Sequence, residues 1–227
     1  MNNLTGRPRL LTAAVLAGLL VMMFPGSALA VDNFRLQVGL GAHGGDPDIE
    51  FAGVSGSLDT DTGIAISAAG WVDHVGWNHL SFGLEYLRLQ DSDFHESASV
   101  VFLGGTLTGT LDIEPTIDAV MVNAAIRKNT GMAHPYIGGG IGLAHADADL
   151  TASATVTVGG QTFSASGSAN DTDIAIAGQL FGGIDVDIGG SWYLGVNGRY
   201  FLMDADLFGA DVEFRNWAVM GFVGRKF

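Results

Sequence analysis

Glu213 to Phe227 reads EFRNWAVMGFVGRKF. Counting back by twos from Phe227 gives Arg225, Val223, Gly221, Val219 and Trp217, a mostly apolar row on one face of an extended strand. The other row, Lys226, Gly224, Phe222, Met220, Ala218 and Asn216, is mixed. A soluble protein has no general reason to end in mid-strand on an aromatic residue, so the apolar row is read as facing lipid. Arg225 then lies on the lipid side, where a charge costs about 2 to 4 kcal/mol at mid-membrane but only about 0 to 1 near an interface. Two residues from the end, it can snorkel to lipid phosphates. Arg215 and Glu213 must lie beyond the opposite interface, which places the membrane band at Trp217 through Val223. A register one residue off would put Arg225 in the interior instead.

At the other end, Arg7 and Arg9 precede an apolar run from Leu10 to Phe24, and a small-residue segment closes with Ala28-Leu29-Ala30. That order is a secretory signal peptide, with cleavage expected after Ala30. The run is too short for a spanning helix, which needs about 20 apolar residues. Residues 31 to 227 are left as one domain. The remaining part holds eight basic and 24 acidic residues, a formal charge of −16, which argues against nucleic acid as a partner. With no Cys, the chain has neither disulfides nor a lipid-anchoring cysteine.

Hydrophobic residues make up 48% of the chain, yet after residue 30 no apolar run approaches the length of a membrane helix. Apolar surface is therefore spread over alternating strands. The 34 glycines against 5 prolines also suit sheets with tight turns, since Gly weakens a helix interior by about 1 kcal/mol.

Period-two alternation predicts eight strands, over 34–42, 62–72, 78–89, 117–127, 135–144, 172–188, 192–202 and 213–227. In the first, Phe34, Leu36, Val38, Leu40 and Ala42 share a face; in the sixth, Ile174, Ile176, Leu180, Ile184, Val186 and Ile188 do. Between strands lie long polar segments (43–61, 90–115, 145–171, 203–212) alternating with short turns (73–77, 128–133, 189–191). Gly104-Gly105 and Gly159-Gly160 read as hairpin tips within two of the long segments. An even number of antiparallel strands with short turns at one end and long loops at the other is the pattern of a transmembrane barrel. Closure removes edge strands.

A secreted sandwich with its apolar face inward is the soluble alternative. Two features disfavour it: the polar rows are rich in Gly and Ala, as a cramped interior requires, and Tyr86, Trp192 and Tyr200 sit near the ends of apolar rows, where interfacial girdles belong. A ten-strand barrel, with loop hairpins counted as wall strands, is a variant of the same reading.

His134-Pro135-Tyr136-Ile137-Gly138-Gly139-Gly140-Ile141-Gly142, the Trp192–Tyr193–Leu194 to Arg199–Tyr200–Phe201 hairpin strand, Met203-Asp204-Ala205-Asp206, and a closing strand ending in Phe together resemble the small eight-stranded outer-membrane proteins of the OmpA, OmpX, OmpW and opacity-protein kind. The likeness spans residues 31 to 227 and marks the superfamily rather than one member; Arg225 departs from the apolar residue often found third from the end. It implies an all-β, eight-stranded antiparallel up-and-down barrel in the outer membrane of a Gram-negative cell. Both termini would be periplasmic and four acidic loops extracellular. Lipid and lipopolysaccharide are the implied surroundings. The closing strand, through Trp217, Val219, Val223 and Phe227, is the implied signal to the barrel-assembly machinery.

An eight-stranded barrel is just wide enough for side chains to fill it. The inward set contains Arg35, Gln37, Glu85, Asn123, Arg127, Gln179, Asp185 and Arg199, whose charges must pair across the lumen. The set is read as a structural plug; the alternative is a narrow path for small or apolar solutes, as in the OmpW likeness, with inward glycines leaving room for water. The four long segments, with the flanking Asp173 and Glu213, hold 18 of the 24 acids and no Lys or Arg, many as Asp-x-Asp or Asp-x-Glu pairs such as Asp147/Asp149 and Asp204/Asp206. Such pairs are solvated loop charge, or sites where Ca²⁺ or Mg²⁺ bridges to lipopolysaccharide.

His79, Ser81 and Glu85 share a face, and a lipid A deacylase of this fold uses Ser and His. Those groups must meet lipid on the outer wall, which Leu80, Phe82 and Leu84 occupy here, so a lipid-modifying enzyme is the remote reading. Histidines such as His74 and His134 lack metal-ligand spacing, and no phosphate loop, nucleophile elbow or zinc motif is present. No catalytic residue, metal or cofactor is expected, and no peptidoglycan-binding domain is read after the barrel.

Overall fold

The computed structural model describes residues 33–45, 48–51, 54–57, 62–90, 94–102 and 105–227. The expected signal peptide, residues 1–30, lies outside them, as do Asp46, Asp59, Asp61, Asp91 and Asp93 of the acidic segments. The described residues form eleven strands: β1 (Phe34–Gly45), β2 (Asp48–Phe51), β3 (Val54–Ser57), β4 (Gly63–Asp73), β5 (Leu80–Gln90), β6 (Phe94–Phe102), β7 (Gly105–Arg127), β8 (Ala133–Val158), β9 (Gln161–Gly189), β10 (Trp192–Leu207) and β11 (Ala210–Lys226).

Eight of these close a ring in the order β1-β4-β5-β7-β8-β9-β10-β11, each pair antiparallel. The seam is made by β1 and β11, paired continuously from Arg35↔Lys226 to Gly45↔Asn216. Strands β2, β3 and β6 stay off the ring: β2 pairs β11 and β3, and β6 pairs β7. The wall therefore has eight strands rather than ten, because the loop hairpins continue it upward instead of widening it.

The outward face is the one the alternation predicts. Ile141 and Ile176 are 72% and 78% exposed, and their neighbours Leu143, Val122 and Leu180 are exposed too. Water would penalise so much apolar surface, whereas lipid does not. Tyr86, Trp192, Tyr200 and Trp217 stand on this face, with Tyr200 directly opposite Trp217. Arg225 is on it as well, paired with Leu36 and Trp192, and its guanidinium lies 5.8 Å from the Trp192 ring centroid and 5.0 Å from that of Phe227. Arg215, at the far end of the row, is exposed and is joined to the half-buried Glu213 by two hydrogen bonds of 2.8 and 2.7 Å.

The polar segments 90–115, 145–171 and 203–212 differ from expectation. Residues 145–158 and 161–171 are not loop; they extend β8 and β9 without a break. Likewise β10 and β11 run to a two-residue turn at Phe208 and Gly209, whose φ of 54° and 76° match the tight turn that joins twisted strands. Small Ala, Ser and Thr side chains hide this alternation, since neither row is strongly apolar.

Candidate functional site

The lumen gathers the polar side chains, and every residue of the inward set is buried. Four strands meet at one layer. The Arg199 guanidinium of β10 donates to Glu85 Oε1 of β5 at 2.9 Å and to Gln179 Oε1 of β9 at 3.2 Å. Asn123 of β7 donates through Nδ2 to Glu85 Oε2 at 2.9 Å. Gln179 Nε2 donates to the same oxygen at 3.0 Å and to Asn123 Oδ1 at 2.8 Å. Glu85 thus accepts three bonds in a closed ring of side chains drawn from across the barrel. Its charge is balanced by Arg199.

A second cluster lies nearer the end that carries both termini. Arg35 donates to Asp73 through Nε and, at 3.0 Å, through a terminal nitrogen; it also reaches Asp185 and the Tyr193 hydroxyl at 3.4 Å each. Arg127 pairs with Asp185. Ser81 donates to Asp73 at 2.6 Å, and the Tyr193 hydroxyl to Gln37 at 3.2 Å. The two guanidinium groups also lie over aromatic faces: Arg35 is 5.8 Å from the Trp71 centroid and 5.5 Å from that of Tyr193, and Arg127 is 4.7 Å from that of Tyr136. Burial of such pairs stabilises only when geometry and hydrogen bonds compensate desolvation.

Around these charges the lumen is packed. Trp71, Tyr136, Phe181, Tyr193 and Phe222 form one cluster, with Trp71 edge-on to Phe181 at 6.0 Å. Toward the other end, Leu87, Leu89, Ile117, Met121, Phe201, Met203, Phe214 and Met220 fill the interior together with alanines. The inward glycines are not vacancies. A Cβ at Gly138 would come within 2.6 Å of the Phe181 ring, one at Gly83 within 2.6 Å of Trp71, and one at Gly140 would overlap Asn123. Each of these three glycines is the floor on which a larger side chain lies.

Asp73 is the principal residue that sequence reading missed. The expected turn over 73–77 includes it, but it ends β4 on the inward row of Ala65, Ser67, Ala69 and Trp71, and that row continued by two reaches it. Tyr136 and Tyr193 also join the lumen clusters although they lie outside the expected polar set. Ser81 is bonded to Asp73, and His79 Nδ1 lies 3.0 Å from the Arg127 carbonyl oxygen, so His79, Ser81 and Glu85 serve three different contacts. Among the described residues, no group of three or more His, Asp or Glu is arranged to hold a metal.

Trp217, Val219, Val223 and Phe227 of the closing strand lie at the seam and its end. Val219 pairs Ala42 and Val223 pairs Val38 across it, while Phe227 accepts no place in the ladder but donates its N–H to the Phe34 carbonyl at 2.8 Å and packs 6.2 Å from the Phe34 ring.

At the opposite end the acids are ordered by strand geometry. Asp171 and Asp173 of β9 accept the backbone N–H groups of Phe208 (2.6 Å) and Asp206 (2.9 Å), just beyond the last β9–β10 ladder pair, Met203↔Ala177. Asp206 faces Asp211 across the hairpin, and the hydrogen bond and charge from Asp211 push its carboxyl above the usual range.

No family model matches the chain, and no curated protein matches it. Among solved structures it is similar to Neisserial surface protein A, with a TM-score of 0.53 and 15% identity over 86% of this chain and 98% of that one. It is less similar to the outer membrane protein OprG of Pseudomonas aeruginosa (TM-score 0.47, 15% identity, 86% and 95% covered) and to Ail, the attachment invasion locus protein of Yersinia pestis (0.43, 12%, 85% and 98%). At these identities the likeness concerns the fold alone.

Proposed function

We propose that this chain, which has the fold of the small eight-stranded outer-membrane barrels, is a non-enzymatic surface protein whose lumen is a structural plug. The observation that carries this reading is the Glu85–Arg199–Asn123–Gln179 ring, closed across the barrel between the aromatic cluster and the apolar fill. A path for small or apolar solutes would need the inward glycines to be open, and the space at Gly138, Gly83 and Gly140 is taken by Phe181, Trp71 and Asn123. An acyl-chain chemistry would need its nucleophile on the outer wall, whereas Ser81 is buried inside.

The termini end is periplasmic in this reading, and the extended hairpins stand outside the cell among lipopolysaccharide. The closing strand is the segment offered to the barrel-assembly machinery. Divalent ions between acidic residues and lipid phosphates remain an electrostatic expectation resting on charge. Uptake into vesicles tests the plug: barrels reconstituted at high density leave swelling in small sugars or amino acids at the rate of empty vesicles. Swelling that rises with protein load assigns the chain to the channels.

A further inference from the structure

Above the wall, β6, β7, β8 and β9 continue as a sheet of four strands. Followed upward in register, its outward side changes chemistry in three zones. The row Val120–Leu143–Ile176 is apolar and exposed, as lipid contact requires. Two rows up, Asp147 lies between Thr116 and Thr172, and then Asp149 between Glu114 and Asn170, so this zone is acidic. Beyond the row of Asp112, Thr151 and Ser168, the outward positions of β7, β8 and β9 (Thr106 to Thr110, Ser153 to Thr157 and Thr162 to Ser166) are all Ser or Thr, nine of nine, and β6 adds Ser97 and Ser99 with the apolar Val101 at the edge.

Solvation alone does not select such a face. A solvated face in so acidic a protein has every reason to carry charge, and this one carries none. The hydroxyls are already engaged with one another: Thr110 with Ser153 at 2.7 Å, Thr157 with Thr162 at 3.2 Å and Thr108 with Ser99 at 3.5 Å. Each such pair leaves further donor and acceptor capacity facing out. The rows are about 6.8 Å apart along the strands and about 4.8 Å between them, a regular lattice of groups that both donate and accept.

Height fixes what this lattice meets. Twelve residues separate Asp118 from Thr106, which at about 3.4 Å per residue and a tilt near 40° raises the top row roughly 30 Å above the apolar zone. We propose that the Ser/Thr face of this sheet packs against the uncharged saccharide chains of the glycolipids surrounding the barrel. It is continuous with the lipid-facing wall, so one surface matches in sequence the acyl, ionic and sugar layers of a single glycolipid leaflet. Uncharged sugar is the partner because the face has hydroxyls without charge and the acids beneath it repel anionic chains. The proposal rests on the membrane orientation given above.

The absence of cysteine makes the test direct. Ser164→Cys reports the Ser/Thr face, its neighbour Ala165→Cys the opposite face, and Ile141→Cys the membrane wall. Each variant is reconstituted in vesicles whose glycolipid carries a long uncharged polysaccharide, and in vesicles of the same lipid truncated to its acylated, phosphorylated base. Labelling by a water-soluble maleimide is then timed. Full-length polysaccharide should slow Ser164→Cys several-fold relative to Ala165→Cys, and truncation should abolish the difference. Adding Thr108→Glu and Thr155→Glu to Ser164→Cys should abolish it too. An equal effect on both faces is crowding and overturns the proposal, as does protection that follows protein density in truncated lipid, which is self-association. Rapid labelling of Ile141→Cys would instead refute the barrel's membrane placement.

Discussion

Gly140 and Gly178 sit on adjacent strands and do different work. A Cβ at Gly140 would overlap Asn123, while one at Gly178, on the outer face, meets nothing within 4 Å. Gly140→Ala should therefore cost about 1–3 kcal/mol by overpacking, and Gly178→Ala should leave urea unfolding in vesicles nearly unchanged. Glu85 holds the lumen ring together. Glu85→Gln leaves Arg199 buried without its counter-ion, and loss of about 3–5 kcal/mol is expected in the same assay. Asp206 gives a pH signature. Its carboxyl is raised by Asp211, so the folded hairpin binds a proton more readily than the unfolded chain. Stability of the tip is then greatest below the ordinary carboxylate range and falls as pH rises through the raised value. Protection factors of amides near Asp206, which are corrected for the intrinsic pH dependence of exchange, should rise on going from neutral pH to about 4, and Asp206→Asn should remove that rise.

At the scale of elements, the closure between β9 and β10 changes character at its top. The ladder ends at Met203↔Ala177, and the carboxylates of Asp171 and Asp173 take over by accepting backbone N–H groups of the β10 tip. Replacing both with Ala should speed exchange at the Asp206 and Phe208 amides and leave Leu202, within the ladder, protected. The eight wall strands were legible in the sequence because each alternates strong apolar with polar or small residues, as Phe34 to Ala42 does. Their upward extensions were not, because Thr-Ala-Ser-Ala-Thr alternates without a hydrophobic contrast and its outward side meets no lipid. The inward set was legible for the same reason as the wall. Asp73 escaped because a terminal Asp beside His74 and Gly76 reads as turn, and only the row through Trp71 shows it to be interior. Which charges pair could not be read at all, since Glu85 and Arg199 are brought together by barrel closure over 114 positions.

Across the whole molecule, the chain divides its chemistry by side and by height. The wall is apolar outside and filled within, the rim is acidic, and the sheet above it is hydroxylated outward. A fold of eight strands leaves an interior that side chains can occupy completely, and the pairing of Gly83, Gly138, Gly195 and Gly224 with Trp71, Phe181, Phe222 and Tyr193 shows how this sequence does so. Single-channel recording in planar bilayers tests that occlusion most directly. The refolded barrel should give a silent baseline at high protein load and across both polarities. Discrete, reproducible current steps from the unmodified protein would contradict it.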